Sequence, residues 1–298
     1  MSPDADPTSR KRVALVIGSG NLKCAAVLGV MKVLHREGIE VSMTVGCSGG
    51  SLFAAALALG YGIEETERRL KGIWKRQIYT RYHYPSLFRL LAPRLFGSSG
   101  GLGLVDDRRL MDALQEGFGD LTFEQTKVPL YLVATDILNG EKVVLSKGRI
   151  IDAIRASVAL PVVFQPWKVD GRMLMDGGAS DPLPVDVAIR EGADVIVALG
   201  FETPHSSQAV SLAGVVRQAS TIMMNNLIRS TYSFYNLVHH AEIIAIIPHF
   251  DRPIGLADTH LFPYIIEEGE RAAEAEVPYL RRLLAPADAG SLTGGARA

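Results

Sequence analysis

Apolar positions along this chain fall into two rhythms. Short, fully apolar runs of four to eight residues suit strands buried on both faces, and longer stretches with a three-to-four-residue recurrence suit helices. "VALVI" (13 to 17) opens the series as a strand. A helix from about Ala25 to Glu37 follows, with Val27, Val30, Met31 and Leu34 at helical spacing. "SMTVG" is the next strand, and the helix after Ser48 is apolar on all sides, which places it inside the protein. "PLYLVATD" (129 to 136), "EKVVLS", "MLMDGG", "ADVIVALGF" (193 to 201) and "AEIIAIIP" (241 to 248) continue the strands, with helical stretches between. Apolar strands separated by helices predict an α/β fold whose mainly parallel sheet is covered on both faces. There is no internal repeat. Residues 13–284 are expected to form a single domain, with a polar leader at 1–12 and a frayed tail at 285–298.

Composition narrows the function classes. The 298 residues are 48% hydrophobic, ample for a sizeable core, and the net charge of −1 gives nothing global to recruit nucleic acid. The two cysteines, Cys24 and Cys47, exclude a disulfide framework and favour a reducing compartment, so the expectation is a cytoplasmic protein. The leader lacks the apolar core of a secretory signal, and no run of 18 apolar residues predicts a span.

One stretch breaks the rhythm. From Arg68 to Phe96 there are eight Lys or Arg and no Asp or Glu, interleaved with Tyr79, Tyr82, Tyr84, Phe88 and Phe96. "GSSGGLG" (97 to 103) then has linker composition, whether native loop or replacement. Region 68–105 therefore reads either as a lid or interfacial insertion touching anionic membrane, or as a helical hairpin with a solvated basic face.

The candidate chemistry starts at "TVGCSGGSL". Ser48 stands at a strand-to-helix corner in Gly46-Cys47-Ser48-Gly49-Gly50. Small residues two before and two after permit a very sharp turn that lifts the hydroxyl clear of the sheet, with helix N–H groups aimed at whatever it attacks. A serine N-cap after a tight turn is the alternative. A serine nucleophile needs a base. Asp176 is one candidate, because it ends a short apolar strand and Gly177-Gly178 lets neighbouring backbone come close; a plain turn aspartate is its bland counterpart. A Ser-Asp-His triad is the other, with His249 the best-placed of His239, His240, His249 and His260. Asp170, Asp181 and Asp186 read as turn or capping residues. In "GSGNLK" (18 to 23), backbone N–H groups converge at the first strand-to-helix connection. Gly20 and Asn21 are the candidate oxyanion donors, joined by Gly49. Incomplete G-x-G-x-x-G spacing, with Lys23 in the third glycine position, argues against dinucleotide binding. Cys24 and Cys47 fall in the two loops expected to meet, as small buried residues or as a redox-sensitive pair. "SLAGVVRQASTIMMNNLIRSTYSFYNLV" (211 to 238) reads as core packing or as the lining of an acyl channel.

Two blocks, "ALVIGSGNLKCAAVLGVMKVLHREGI…VGCSGGSL" and "RIIDAIRASVALPVVFQPWKVDGRMLMDGGASDPLPVDVAIREGADVIVALG", resemble the patatin-like phospholipases in order, from about Val13 to Gly200. The resemblance implies a three-layer α/β/α sandwich. It implies a Ser48–Asp176 dyad without a catalytic histidine, hydrolysing carboxylic esters of lipids without metal or other cofactor. Against the family's glycine-rich G-G-G-x-R-G element, Ser19 and Asn21 replace glycines, Lys23 replaces the arginine and Cys24 the last glycine. Lys23 keeps the charge that would assist an anion but loses the guanidinium fork. A catalytically silent binding or regulatory protein on the same fold is the rival expectation.

Overall fold

Strand β1 (Val13–Ile17) shows how the layers form. Its side chains alternate, with Val13, Leu15 and Ile17 entering one core and Ala14 and Val16 the other. The computed structural model describes residues 11–74, 107–161, 163–202, 212–238 and 242–285. The remaining strands are β2 (Val41–Cys47), β3 (Leu130–Asp136), β4 (Lys142–Leu145), β5 (Trp167–Val169), β6 (Arg172–Asp176), β7 (Val195–Leu199) and β8 (Glu242–Ile246). Hydrogen bonding links them in the order β5-β6-β3-β2-β1-β7-β8, with β4 paired to β3.

Helices α1 (Ala26–Arg36), α2 (Gly49–Ala58), α3 (Ile63–Ile73), α4 (Asp107–Phe118), α5 (Ile150–Ser157) and α8 (Phe262–Leu284) pack their apolar sides into the larger core. Helix α6 (Val185–Arg190) and helix α7 (Leu212–Val238) cover the opposite face, where Val185, Val187, Ala188 and Ile228 meet Ala14, Val16 and Val45. The result is an α/β/α sandwich.

The sheet is less uniformly parallel than the apolar runs imply. β3, β2, β1, β7 and β8 are parallel, but β4 and β6 run antiparallel to β3, and β5 antiparallel to β6. The β5–β6 hairpin turns at Asp170-Gly171, both with positive φ (48° and 81°), the geometry of a tight two-residue hairpin turn. Three-residue β5 is too short to leave a periodic signal. The basic, aromatic stretch lies outside the described residues from position 75 onward, as does "GSSGGLG". Arg69 and Lys71, on α3, pair with Glu65 and Glu67 one turn earlier.

Candidate active site

Two strands meet end to end on one edge of β3. β4 takes one edge, pairing with Leu132 to Thr135. The other edge is shared. β2 pairs along it as far as Cys47 opposite Val133, and β6 arrives from the opposite direction to finish with Asp176 opposite Ala134. Since Val133 and Ala134 are neighbours, the ends of β2 and β6 abut. The residues that leave these ends are Ser48 and Asp176, and Ser48 Oγ donates to Asp176 Oδ2 at 2.6 Å. Gly177 follows so closely that a Cβ there would sit 2.2 Å from the Val133 carbonyl oxygen and 2.9 Å from Cys47 Sγ.

Ser48 is held in a conformation that L-residues avoid, φ 54° and ψ −126°. Such strain costs on the order of 1–3 kcal/mol and persists only where neighbours over-determine it. Here its N–H donates to Ser157 Oγ (2.9 Å), whose hydroxyl donates to the Val133 carbonyl (2.6 Å), and its carbonyl accepts from Ser51 Oγ (2.6 Å) and Ser51 N–H (2.9 Å). The side chain makes no capping bond to α2, so the N-cap alternative does not describe this serine. Side chains at 49 and 50 are excluded by close approach. A Cβ on Gly49 would lie 2.6 Å from the Asn21 oxygen, and one on Gly50 2.2 Å from that of Ile17.

Asp176 is 2% exposed, and among the described residues no cation shifts its charge. Burial disfavours its charge and pushes its pKa up to about 6; the bonds from Ser48 and from Gly178 N–H (2.8 Å to Oδ1) pull down but do not win. Its main chain is pinned by Thr135 Oγ1, which donates to the Asp176 carbonyl at 2.9 Å. Asp181 and Asp186 behave differently from the capping residues the sequence suggested. Lys142 Nζ bonds Asp181 Oδ2 at 2.7 Å and both Asp186 oxygens at 2.6 Å, although Asp181 Oδ1 also accepts the Leu183 N–H.

The loop after β1 presses onto the first turn of α2. Asn21 adopts φ 51°, tolerable for asparagine, and starts a 3-10 turn through Ala25. The N–H groups of Asn21 and Gly49 open their helical turns and take no backbone acceptor among the described residues. Gly20 packs under Phe201, whose ring a Cβ would penetrate. Lys23 is half-buried with its ammonium 5.8 Å from the Phe201 ring centroid, and burial lowers its pKa. Cys24 and Cys47 are free thiols, fully buried; burial pushes both well up, so they stay protonated at neutral pH rather than acting as reactive thiolates.

An apolar pocket opens at Ser48, Gly49 and Asn21, lined by Leu52, Ile73, Trp74, Leu110, Leu114, Val158, Leu160, Phe164 and Leu256. The described lining comes from the face opposite α7, whose Ile228, Met224 and Tyr232 pack into the second core, as the core-packing reading of residues 211–238 expects. Among the described residues no histidine bonds Ser48 or Asp176, and His249 is exposed. Sequence reasoning missed Ser157 and the pocket lining from α4. Ser157 ends an ordinary amphipathic helix, and only the packing of that end against the corner gives it a purpose. Two residues earlier, fully buried Arg155 reaches Asp107 at 2.8 Å and the Gln165 carbonyl at 2.9 Å, between the rings of Phe164 and Trp167.

These features define a three-layer α/β protein with a strained serine bonded to a buried carboxylate at a strand-to-helix corner. The sequence profile described as patatin-like phospholipase matches residues 15–189, and the chain belongs to that family. It is 31% identical over 230 residues to an uncharacterized NTE family protein of Mycobacterium bovis, covering 77% of this chain and 59% of that one. It is 27% identical over 191 residues to lysophospholipase NTE1 of Kluyveromyces lactis, covering 64% of this chain and 13% of that one. The chain thus spans 59% of the length of the first relative and 13% of the second. Among solved structures, human GIVD cytosolic phospholipase A2 in complex with methyl gamma-linolenyl fluorophosphonate superposes with a TM-score of 0.49 at 12% identity, covering 95% of this chain and 60% of that one.

Proposed function

We infer that the protein is a serine acyl hydrolase acting on carboxylic esters of lipids through Ser48 and Asp176. The observation that carries this reading is the 2.6 Å bond from Ser48 Oγ to a buried carboxylate that has no competing cation among the described residues. In the proposed cycle Ser48 Oγ attacks the ester carbonyl and its proton passes to Asp176 Oδ2. The carbonyl oxygen gains charge facing the N–H groups of Gly20, Asn21 and Gly49, with Lys23 adding positive potential; one such donor is typically worth about 3 kcal/mol of barrier. Collapse expels the alcohol, which takes the proton back from Asp176. Water then attacks the acyl-Ser48 ester, again giving its proton to Asp176; as the fatty acid leaves, Asp176 returns that proton to Ser48 Oγ. Apolar walls of the pocket suit an acyl chain, and membership of a phospholipase family, with one relative named a lysophospholipase, supports a lipid substrate. Donors on the backbone survive the side-chain replacements at Ser19, Asn21 and Cys24, which weighs against the silent rival.

A fluorophosphonate probe tests the reading. Labelling is expected on Ser48, abolished in Ser48→Ala and strongly slowed in Asp176→Asn, with parallel loss of p-nitrophenyl ester turnover. An intact protein that neither labels nor turns over esters belongs to the silent class.

A further inference from the structure

Helix α7 is unused by the chemistry at Ser48. It has 27 residues, about 40 Å of helix, whereas β7 before it has five, about 17 Å of strand. It must carry the chain from the end of β7 back to the start of β8, which is parallel to β7, so it runs antiparallel to both. Its level is fixed by contacts. Arg229 forks onto Glu202 at 2.9 and 2.8 Å, and Ile228 lies 4.0 Å from the Cβ position of Gly200, just past β7. Met224 Cε lies 3.1 Å from the Cβ position of Gly178, whose N–H holds Asp176. The turns before Met224 therefore rise beyond the sheet edge that carries Ser48 and Asp176.

The outward face of α7 changes character at that level. In the rising turns it presents Val215 (51% exposed), Ala219, Ile222 (41%) and Met223 (60%), at the spacing of one helix face. Below Leu227 the same face presents Arg229, Ser230 and Ser233. Exposed apolar side chains thus cluster where the helix stands beside the site. No Asp or Glu occurs from Thr203 to Ala241, while Arg217 does; the charge of Arg229 is balanced by Glu202. Four side chains of one helix face, with Val215, Ile222 and Met223 no more than 60% exposed, are too few for the roughly 800 Å² per partner of a stable protein interface but suit shallow burial in a lipid boundary. Among the described residues no helix is long and apolar enough to cross a membrane, so any lipid contact there is interfacial.

We propose that Val215, Ala219, Ile222 and Met223 form a membrane-entry surface that seats the Ser48 site on an anionic phospholipid bilayer. The acid-free stretch removes repulsion from anionic headgroups, and the apolar tip fixes depth. The proposal rests on the acyl-hydrolase reading for its purpose, and its test does not require turnover. Flotation with phosphatidylcholine–phosphatidylglycerol vesicles is measured in Ser48→Ala protein, with and without Val215→Ser, Ile222→Ser and Met223→Ser together. The parent is expected to float, and the combined variant to float about tenfold less, since binding scales with buried apolar area. Met223→Asp alone is expected to act in the same direction. With Ser48 intact, both forms are expected to turn over soluble p-nitrophenyl butyrate equally, which also verifies folding. A flotation difference without any ester turnover overturns the hydrolase reading and leaves this surface standing. Equal flotation, a parent that does not float, or a parent dimer that the substitutions split into monomers without vesicle binding overturns the surface.

Discussion

Two acidic residues ten positions apart in "MDGGASDPLPVD" end in opposite electrostatic states. Asp176 is buried with a hydroxyl and one backbone N–H, and burial pushes it up to about 6. Asp186 is partly buried, which acts against its charge, but bonds from Lys142 and the charges of Lys142 and Arg190 together hold it below the usual carboxylate value. Lys142 in turn is disfavoured by burial yet held above its ordinary value by Asp181 and Asp186. The same residue type thus has a raised proton affinity at one site and a lowered one at the other, which suits Asp176 to the base role proposed for it. The difference is the lysine, and it lets proton affinity be tuned without a histidine.

The largest expected effect separates the two sites by activity. Asp176→Asn is predicted to lower kcat for p-nitrophenyl esters about 10³-fold, within the range of general-base contributions, while Asp186→Asn leaves kcat within a few-fold. Stability is predicted to rank them the other way. Lys142→Met leaves two carboxylates facing each other without their cation and is predicted to cost about 3 kcal/mol in denaturant unfolding. Asp176→Asn is predicted to stabilise the fold on the order of 2 kcal/mol at pH 8. A raised folded-state pKa contributes stability that is fully present below the unfolded value of 3.8 and lost as pH rises through about 6, so the gain of the neutral variant appears over that window and vanishes at pH 3.5. The depressed pKa of Asp186 works in reverse, its contribution being present above the unfolded value and lost on acidification. Smallest is Ser157→Ala, which strands the Ser48 N–H and the Val133 carbonyl. About 1–2 kcal/mol of stability and about tenfold in kcat are expected to go with it, read by thermal unfolding and ester kinetics.

Much of this was legible in the residues. Short, fully apolar runs announced the strands, and glycines around Ser48 announced the corner, because close backbone approach leaves no other residue type. What remained hidden was non-local. Nothing in "MLMDGG" says that β6 runs antiparallel to β3 and stops where β2 stops, although that meeting brings hydroxyl and carboxylate together. Asp181 and Asp186 looked like turn residues because their cation comes from Lys142, some 40 residues upstream. Core packing of α7 was legible and holds for Ile228, Met224 and Tyr232, but composition does not reveal that the helix outruns the sheet and leaves Val215, Ile222 and Met223 exposed.

The central claim is that a carboxylate alone activates Ser48. The pH dependence of fluorophosphonate labelling, from pH 4.5 to 9, tests it most directly. The account predicts a rate that is flat above about pH 6, falls tenfold per unit below it, and loses this break in Asp176→Asn. A break near 7 that Asp176→Asn leaves in place and a histidine substitution removes would contradict it.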